Sequence, residues 1–510
     1  MHVIQGHQHD YKLQIVTGSA VFFCVFLSYY LTLAPDIIWG GGDSARFALW
    51  VKEFHLSYLP VNHPLYILLG KFFTTLPLQK SLAYKLNLFS AVWGALTILV
   101  FYLLSFRLTK SQIASLSGAC ALAFSHTFWM HAVLTEVYTL HAFLLVTILY
   151  LFYVWEDTGK RRYFFLANFF FGLALSNHVL ILLIAPGVLI YFLTNYTRIG
   201  YKNILLAGIL FFFGGSILWA LILKACSKAD FFISIIPLLR EALGLGAAST
   251  NTFSFSKAIS YVGYLFYQFP FPGFFLGISG LYYIAAKKRT PFLVMLTIAF
   301  ATYMLFPIWC NFRDHYQFAI SGYVCFSFFI TLGVSYFLSI GEKKKKFKRY
   351  AILFPCILTL VPFFTYSITA YVSKRFNLDV TKARTLPFRD NDWYFLFPPK
   401  NNDHGTYKYG SLIMNLLPLD AVVVGDYTPI MVLKYFQDVE GMRKDVHLIL
   451  GDVTTQYNAI KMNIDSKPVY AASLEDKAAL VTGNLYLSRQ HLQGFKVEEA
   501  YPAYRILKKN

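Results

Sequence analysis

The residues with the clearest chemical potential follow the first long apolar run of the chain. Three glycines, Gly40 to Gly42, directly precede Asp43. Glycine lets the backbone take positive φ angles and come close to a ligand. A carboxylate in such a position can accept a proton from an incoming hydroxyl group, so Asp43 is a candidate general base. The alternative interpretation is that Asp43 caps a helix that begins at Ser44.

Further polar residues border other apolar runs, and each has a structural alternative. His63 stands before Pro64 and Tyr66; it can donate to a phosphate or orient a base, or it is a structural residue at a helix start. Glu136, followed by Tyr138, enters an apolar run, where an acid is costly unless it has a partner or a function. The alternative is an interfacial glutamate that faces water.

Two basic positions complete the set. Arg313, with Asp314 beside it, lies between two apolar runs, and the planar guanidinium suits bidentate phosphate binding. The alternative is an internal ion pair of these two residues that holds a turn. His178 interrupts another apolar stretch, where a hydrogen-bonded structural histidine is the commoner interpretation.

The composition indicates which elements must position these residues. Hydrophobic residues make up 57% of the 510 residues and charged residues only 14%. So much apolar surface excludes a disordered chain, and six cysteines are too few for a disulfide scaffold. A membrane-spanning helix needs about 20 apolar residues. We predict eleven such spans, at approximately 13–34, 84–105, 112–128, 132–154, 163–176, 178–195, 203–223, 257–283, 292–308, 317–340 and 350–371.

The charge pattern predicts how these spans are oriented. With the N-terminus in the cytoplasm, the short basic loops all fall on the inner side, as the positive-inside rule requires; they lie at 107–110, 160–162, 198–202, 287–289 and 343–349. This placement also argues against nucleic acid as the reason for the net charge of +19. The outer side then receives the first outer loop (35–83), the polar residues introduced above and everything after about 371. Acids, bases and cations on one face predict a site there.

From about residue 372 the composition becomes that of an ordinary soluble region. We define residues 372–408 as the connector, and an α/β pattern follows it. Helices are predicted at 411–417 and 429–439, and strands at 421–424, 446–450, 468–472, 484–488 and 504–508. Asp426 ends the first strand and is interpreted as the cap of the next helix rather than as an acceptor-binding residue. The predicted division is a transmembrane catalytic domain at 1–371 and a connector with a soluble α/β domain at 372–510.

The ordered set of motifs resembles the GT-C superfamily of polytopic glycosyltransferases. Within it, the chain looks most similar to the transmembrane protein O-mannosyltransferases of the plexin and receptor type and their bacterial relatives. The matching pieces are Gly41-Gly42-Asp43-Ser44, His63-Pro64 with Tyr66 and Leu69-Gly70, Asn87-Leu88-Phe89-Ser90-Ala91 with Gly94-Ala95, Glu136-Val137-Tyr138-Thr139-Leu140, Leu175-Ser176-Asn177-His178, Arg313-Asp314-His315-Tyr316, Leu416-Leu417-Pro418, and Val439-Glu440-Gly441 with Arg443 and Asp445. The chain departs from the family pattern in having Ala45 and Arg46 after Asp43-Ser44, where relatives often have Gly and Glu.

The resemblance implies a polytopic α-helical GT-C-like fold and a sugar donor, mannose in the first instance, carried on a polyprenyl phosphate. It implies transfer to a protein or glycan hydroxyl without a metal or another cofactor. The implied roles are general base for Asp43; phosphate or head-group binding for Arg313, His63 and Arg46; and sugar or acceptor binding for Glu136, Tyr138, His178, Asp314 and Tyr66.

Three alternatives remain at this stage. The first is a glycosyltransferase that modifies a lipid or polysaccharide, the second a transporter of a lipid-linked substrate, and the third a membrane protein that only binds. A transporter is disfavoured because few acids lie in mid-span and no inverted repeat is evident. The expected partners are membrane lipids, the lipid-linked donor and the acceptor, with no nucleic acid. The expected location is a bacterial inner membrane with the site facing the periplasm, or the endoplasmic reticulum membrane with the site facing the lumen.

Overall fold

The computed structural model describes residues 2–226, 236, 253–287, 289–310, 315–341, 350, 352–476, 480–481 and 484–509. The sequence also predicts a helix lying in the membrane interface within 230–245, and all of that segment except residue 236 lies outside the described residues. Most of the described chain is helical, and a small sheet lies near the C-terminal end.

Six described helices are long and apolar enough to cross a membrane, and the number rises to nine if three bent helix pairs each form one span. The six lie within His2–Leu31, Leu82–Thr109, Tyr138–Thr158, Pro291–Trp309, Ile320–Ile340 and Phe354–Phe376. The bent pairs are Gln112–Ala123 with His126–Ala132, Tyr201–Gly214 with Ser216–Cys226, and Phe255–Gln268 with Gly273–Lys287. The other two predicted spans are the 15-residue helix Arg161–Leu175 and the short apolar segment Val179–Thr194. The fold is therefore polytopic and helical, whereas the count of eleven is not confirmed.

The predicted span over 257–283 is not one continuous helix. Its two helices meet at an angle of 109°, and Pro270 and Pro272 lie at the break. Proline has no backbone N–H and its ring collides with the preceding turn, so a helix cannot run through this pair unbroken. The predicted span at 112–128 is likewise bent, by 68° around Phe124 and Ser125.

Four of the five predicted inner loops meet at one end of the helix bundle, and the fifth, 343–349, lies outside the described residues. Arg107 pairs with Asp157 at 3.5 Å, and Arg198 donates to the carbonyl oxygen of Glu156 at 2.9 Å. The Glu156 carboxylate in turn accepts from the backbone N–H of Phe292 at 3.0 Å. These contacts join loops that the positive-inside rule had placed on a single side.

The opposite end carries the first outer loop, which contains the helices Asp43–Glu53 and Pro64–Thr74. The second of these is the short apolar helix that the sequence predicts near 65–76. Its first turn is packed inward, and Leu65, Tyr66 and Ile67 are buried there. The backbone N–H of Leu65 donates to the carbonyl oxygen of Ser176 at 2.9 Å, which ties this helix to the polar break before His178.

The C-terminal region contains a five-stranded sheet in the order β2-β1-β3-β7-β6. Its strands are β1 Val422–Gly425, β2 His447–Leu450, β3 Val469–Ala471, β6 Phe495–Ala500 and β7 Ala503–Lys508, and a separate hairpin joins β4 Leu480–Val481 with β5 Asn484–Leu485. The C-terminal region also contains the helices Gly405–Leu416, Tyr427–Lys434 and Val453–Asn463, and the connector helix Asn391–Leu396 packs on the last membrane helix, where the Ser373 hydroxyl donates to Asp392 at 2.6 Å. The predicted parallel strand-helix-strand unit is confirmed, since β1 pairs in parallel with β2. Strand β6 was not predicted, because its charged residues (Lys496, Glu498 and Glu499) hide the apolar alternation of an edge strand.

One apolar cluster joins the first outer loop to the C-terminal region. The indole of Trp39 lies 4.7 Å from the ring of Tyr409 between centroids, and both side chains are fully buried. At the rim of this cluster the Lys52 ammonium donates to the carbonyl oxygens of Asp438 and Val439, at 2.5 and 2.9 Å. The C-terminal region is thus packed onto the outer end of the helix bundle.

A buried ion pair fastens the connector to the sheet. Arg384 donates to the Asp426 carboxylate at 2.8 Å and lies 3.9 Å from that of Glu475, and its side chain is only 8% exposed. The Asp426 side chain also accepts from the backbone N–H of Thr428 at 3.2 Å. The interpretation of Asp426 as a helix cap is therefore confirmed, and the residue holds the connector as well.

We expect Arg384→Gln to destabilise the C-terminal region strongly, because it leaves the Asp426 carboxylate without its cation in a buried setting. Removing one partner of such a pair typically costs ~3–5 kcal/mol. The matched control is Arg489→Gln, whose side chain is 38% exposed and pairs with Glu499 at 3.1 Å; an exposed pair contributes about 1 kcal/mol or less. The apparent melting temperature and limited proteolysis of the purified protein measure the loss of stability in each variant. Equal losses in the two variants would contradict the conclusion that the Arg384–Asp426 pair is the buried, stabilising one.

Candidate active site

The glycines that precede Asp43 form one turn of 3₁₀ helix, Gly40–Gly42, which we call the glycine turn. Gly42 has a φ of 90°, in the region that disfavours side chains. A Cβ atom there would also lie 3.1 Å from the ring of Tyr427 and 3.3 Å from the Cα of Thr428. Glycine is required at this position both by the backbone angle and by the close approach of the C-terminal region.

Asp43 is the first residue of the helix Asp43–Glu53, where the helix dipole favours a negative charge. Its carboxylate pairs with Arg46 at 3.0 Å and accepts from the Tyr427 hydroxyl at 3.3 Å, and its side chain is 35% exposed. The Arg46 guanidinium packs over the rings of Phe47 and Trp50, at 5.0 and 4.7 Å. Arg46, predicted to bind phosphate, is therefore engaged as the ion-pair partner of Asp43.

His63 and His178 lie next to each other, with ring centroids 4.7 Å apart. His63 donates from Nδ1 to the carbonyl oxygen of Asn177 at 2.7 Å. Burial lowers the pKa of His63 to about 3, so the ring is neutral and its Nε2 carries no proton that could be donated to a phosphate. His178 accepts from the backbone N–H of Leu180 at Nδ1, which places its proton on Nε2. The ring of Tyr138 lies 5.6 Å from that of His178.

Glu136 lies at the start of the helix Tyr138–Thr158 and is 6% exposed. Its backbone carbonyl accepts from the Ser90 hydroxyl at 3.3 Å. Tyr66 is fully buried, with its ring between those of Phe47 and Phe89 at 5.2 and 5.4 Å. Burial raises the pKa of Tyr66, and the nearby Glu136 carboxylate raises it further. Burial raises the pKa of Tyr427, and the Asp43 carboxylate and, to a smaller extent, the Glu136 carboxylate raise it further.

A cavity of about 410 Å³, which we call the candidate cavity, opens beside these residues. Glu136 lines it. Asp43 is not one of its lining residues, but the Asp43 carboxylate contacts Tyr427, the neighbour of the lining residue Thr428. The connector forms the facing wall. Other residues that line the candidate cavity include His126, His131, Arg384, Arg389, Tyr394, Tyr316 and Gln317.

The predicted residues Arg313 and Asp314 lie outside the described residues, although Tyr316 and Gln317, a few positions later, line the candidate cavity. His63, Tyr66, Tyr138 and His178 form a buried group next to Glu136 rather than part of the cavity wall. Within the described ranges, no group of three or more His, Cys, Asp or Glu side chains is placed to hold a metal ion.

Three residues near the site were missed from the sequence: Tyr427, Arg389 and Lys400. Tyr427 follows Asp426 at the end of a strand, and no local sequence pattern indicates that Tyr427 contacts Asp43. Arg389 and Lys400 lie in the connector, where charged residues are common and do not stand out. Their one sequence signal is that both sit among aromatic residues, and the structure places both cations next to the ring of Tyr394, at 5.2 and 5.3 Å from its centroid.

Lys400 is a buried cation, 2% exposed. Its ammonium donates to the carbonyl oxygen of Phe397 at 2.5 Å, and no carboxylate oxygen among the described residues lies within 4 Å of it. Burial lowers the pKa of Lys400 from its ordinary value to about 7, and Asp403 opposes this effect. A cation kept in such a place lowers stability.

Two solved structures share this fold over nearly the whole chain. ArnT from Cupriavidus metallidurans bound to undecaprenyl phosphate aligns with a TM-score of 0.56 and 13% identity, covering 90% of this chain and 92% of that one. The Archaeoglobus fulgidus oligosaccharyltransferase in complex with Zn and sulfate aligns with a TM-score of 0.50 and 14% identity, covering 88% and 67%. The chain is therefore a multi-pass membrane protein with the fold of the GT-C glycosyltransferases.

The predicted resemblance within that class is also confirmed. Residues 57–200 match the family model described as "Protein O-mannosyl-transferase TMEM260 N-terminal domain". The mouse Protein O-mannosyl-transferase TMEM260 is 30% identical over 122 residues, which are 24% of this chain and 17% of that protein. The Dictyostelium discoideum relative of the same name is 22% identical over 192 residues, 34% of this chain and 23% of its own. The matches thus span less than a quarter of the length of these relatives, and the family-model range includes Glu136 but not Asp43.

We expect Gly42→Ala to impair docking of the C-terminal region. The matched control is Gly159→Ala: Gly159 has a φ of 69°, but its added Cβ would meet its nearest neighbour at an ordinary 3.5 Å. The positive φ alone costs ~1–2 kcal/mol at each site, while Gly42→Ala adds the collision with Tyr427 and Thr428. A lower apparent melting temperature and faster proteolysis of the connector in Gly42→Ala than in Gly159→Ala would bear this out; matching losses would count against it.

We expect Lys400→Met to raise the melting temperature, most of all at pH 6–7. The folded pKa of Lys400 is lowered to about 7, below that of the unfolded chain, so charging it costs folding free energy in full below pH 7, and this cost is relieved as the pH rises above 7. The facing groups that also respond to its charge are Asp403, His126 and His131. Melting curves from pH 6 to 9 test this, with the exposed Lys382→Met as control. The prediction is contradicted if the difference in melting temperature between Lys400→Met and the wild type does not narrow towards pH 9.

Proposed function

We propose that this protein is an integral membrane glycosyltransferase that moves a sugar, mannose in the first instance, from a polyprenyl-phosphate donor to an acceptor hydroxyl. The acceptor oxygen attacks the anomeric carbon in line, the bond from that carbon to the phosphate oxygen breaks, and the configuration inverts. The proton of the hydroxyl passes to the Asp43 carboxylate, and the electron pair leaves with the polyprenyl phosphate. Without base catalysis such a step loses ~10²–10⁴ in rate.

The observation that carries this proposal is the position of Asp43. Its carboxylate is partly exposed at the outer end of the helix bundle and contacts Tyr427, the neighbour of the lining residue Thr428, while Glu136 lines the candidate cavity itself. A general base must lie within hydrogen-bonding reach of an incoming hydroxyl, and a partly exposed carboxylate next to the cavity lining can meet that need. The match of residues 57–200 to an O-mannosyl-transferase family model supports mannose as donor sugar and protein Ser/Thr as acceptor.

The proposal gives the neighbouring residues distinct roles. Tyr427, whose pKa is raised by burial and then by Asp43, keeps its proton and holds the base in position through its hydrogen bond. Glu136, on the cavity wall, is placed to bind sugar hydroxyls. His63, neutral and bonded to Asn177, is assigned to positioning rather than to phosphate binding. Negative charge grows on the phosphate in the transition state, so a guanidinium that faces it lowers the barrier, and Arg313 keeps this proposed role.

The proposal places the reaction on the extracytoplasmic side, the periplasm in a bacterium, because the basic loops gather at the opposite end of the bundle. It includes no metal: a polyprenyl phosphate is a stable leaving group that cations of the protein can stabilise. The donor reaches the site from the bilayer, and the acceptor comes from the aqueous side, where the C-terminal region is packed.

We expect Asp43→Asn to reduce transfer by about 10²-fold or more while donor binding persists, because the amide cannot take the proton. The assay uses purified protein with radiolabelled polyprenyl-phosphate mannose or glucose and Ser/Thr peptides. Glu53→Gln, an exposed carboxylate at the far end of the same helix, is the control and retains full turnover.

Two results would contradict the proposal. Undiminished transfer by Asp43→Asn would remove the assigned base. Transfer to a lipid or glycan acceptor, with none to any Ser/Thr peptide, would replace the protein acceptor while keeping the reaction class.

A further inference from the structure

A second cavity, which we call the connector cavity, lies in the connector on the other side of Arg389 and Tyr394. It has a volume of about 320 Å³ and is lined by residues between Phe388 and Gly405. Arg389 and Tyr394 line both this cavity and the candidate cavity, so they form the wall between them. The proposed reaction uses nothing from the connector cavity.

The acidic and basic side chains that line the connector cavity do not form ion pairs with one another. Of its two carboxylates, Asp390 pairs with Lys374, whereas Asp403 accepts from the backbone N–H of Gly405 at 3.2 Å. Its two strongly basic side chains, Arg389 and Lys400, both lie within electrostatic reach of Asp403, but neither has a carboxylate oxygen within 4 Å in the part of the chain that the structure describes. With Asp390 paired to Lys374, one carboxylate remains for two basic groups, so the cavity can offer positive charge to an anion.

The Arg389 side chain is fixed in place without being neutralised. Its Nε donates to Asn391 at 2.8 Å and one terminal nitrogen donates to the carbonyl oxygen of Arg384 at 2.6 Å. Its guanidinium also packs on the rings of Tyr394 and Phe395. An arginine held by neutral acceptors and aromatic faces is preorganised for an anion, and a planar guanidinium suits phosphate oxygens.

The connector cavity adjoins the first and the last membrane helix. The backbone N–H of Lys400 donates to the carbonyl oxygen of Thr32, directly after the first membrane helix, at 2.9 Å. Phe397 packs on Phe363 of the last membrane helix at 5.8 Å. Both helices expose apolar side chains near these contacts, namely Leu27, Tyr30 and Leu31 on the first and Phe364, Ile368 and Tyr371 on the last. An apolar chain can lie on such surfaces while a head group reaches the cavity.

We propose that the connector cavity binds the phosphate of a polyprenyl-phosphate lipid, with Arg389 and Lys400 as its cations. A polyprenyl phosphate is favoured over an ordinary phospholipid because Arg389 and Tyr394 also face the candidate cavity, so the site adjoins the place where such a phosphate is released. This inference rests on the proposed function. It also explains why a destabilising buried lysine is retained, since binding residues are commonly kept at a cost in stability.

The test measures binding of farnesyl phosphate to the full-length protein in detergent, without any sugar donor. We expect Arg389→Gln and Lys400→Met each to weaken binding by about tenfold or more, and Arg375→Gln, an exposed basic residue at the end of the last membrane helix, to leave it unchanged. Farnesol, which lacks the phosphate, should bind weakly and equally to all variants. Arg389→Lys keeps the charge and should retain most of the binding if Arg389→Gln fails to fold.

Each outcome decides. Unchanged farnesyl phosphate affinity in folded Lys400→Met overturns the inference, whatever Arg389→Gln does. Equal competition by phosphatidylglycerol reassigns the cavity to ordinary lipids, and equal competition by inorganic phosphate reassigns it to a free anion; both overturn it. Wild-type protein that binds farnesyl phosphate through these residues but transfers no sugar overturns the proposed function alone, whereas normal transfer with unaltered binding in both variants overturns this inference alone.

Discussion

The outer half of the molecule depends on one close contact, that of Tyr427 and Thr428 on the glycine turn. The absence of a side chain at Gly42 allows the two backbones to approach, and the Tyr427 hydroxyl then reaches Asp43 at 3.3 Å. Outside the bilayer this docking is driven by apolar burial, which has no counterpart between helices surrounded by lipid. The C-terminal region thereby supplies a wall of the candidate cavity. Without this region the Asp43 carboxylate would lose the Tyr427 hydroxyl as a partner.

The buried polar groups around His63 and His178 have defined protonation and hydrogen-bonding states. His63 must carry its proton on Nδ1 because a carbonyl oxygen accepts from it, and His178 must carry its proton on Nε2 because its Nδ1 accepts from a backbone N–H. Asn87 donates to the carbonyl oxygens of Ala34 and Asp36 and so fixes the start of the first outer loop. Fixed tautomers and satisfied amides keep the site from reorganising as charge moves through it.

Candidate site residues can be predicted from the sequence when their type is unusual for the segment in which they lie. Asp43 and Glu136 were found because a carboxylate next to an apolar run is costly and therefore conspicuous. Tyr427 and Arg389 could not be found in the same way, because their region has ordinary composition and the Tyr427–Asp43 contact joins residues 384 positions apart. Apolar runs likewise predicted the helices but not their bends. The 109° break did carry a local signal in Pro270 and Pro272, whose effect on a helix outweighs the hydrophobicity around them.

The charges around the candidate cavity are distributed so that one side remains uncompensated. Asp43 is balanced by Arg46, and Arg384 by Asp426 and Glu475. Arg389, by contrast, faces the same cavity as Glu136 without a carboxylate in contact among the described residues. The helix bundle thus contributes a paired carboxylate beside the cavity and the connector contributes an unpaired guanidinium. The relative position of these two groups depends on the docking at the glycine turn.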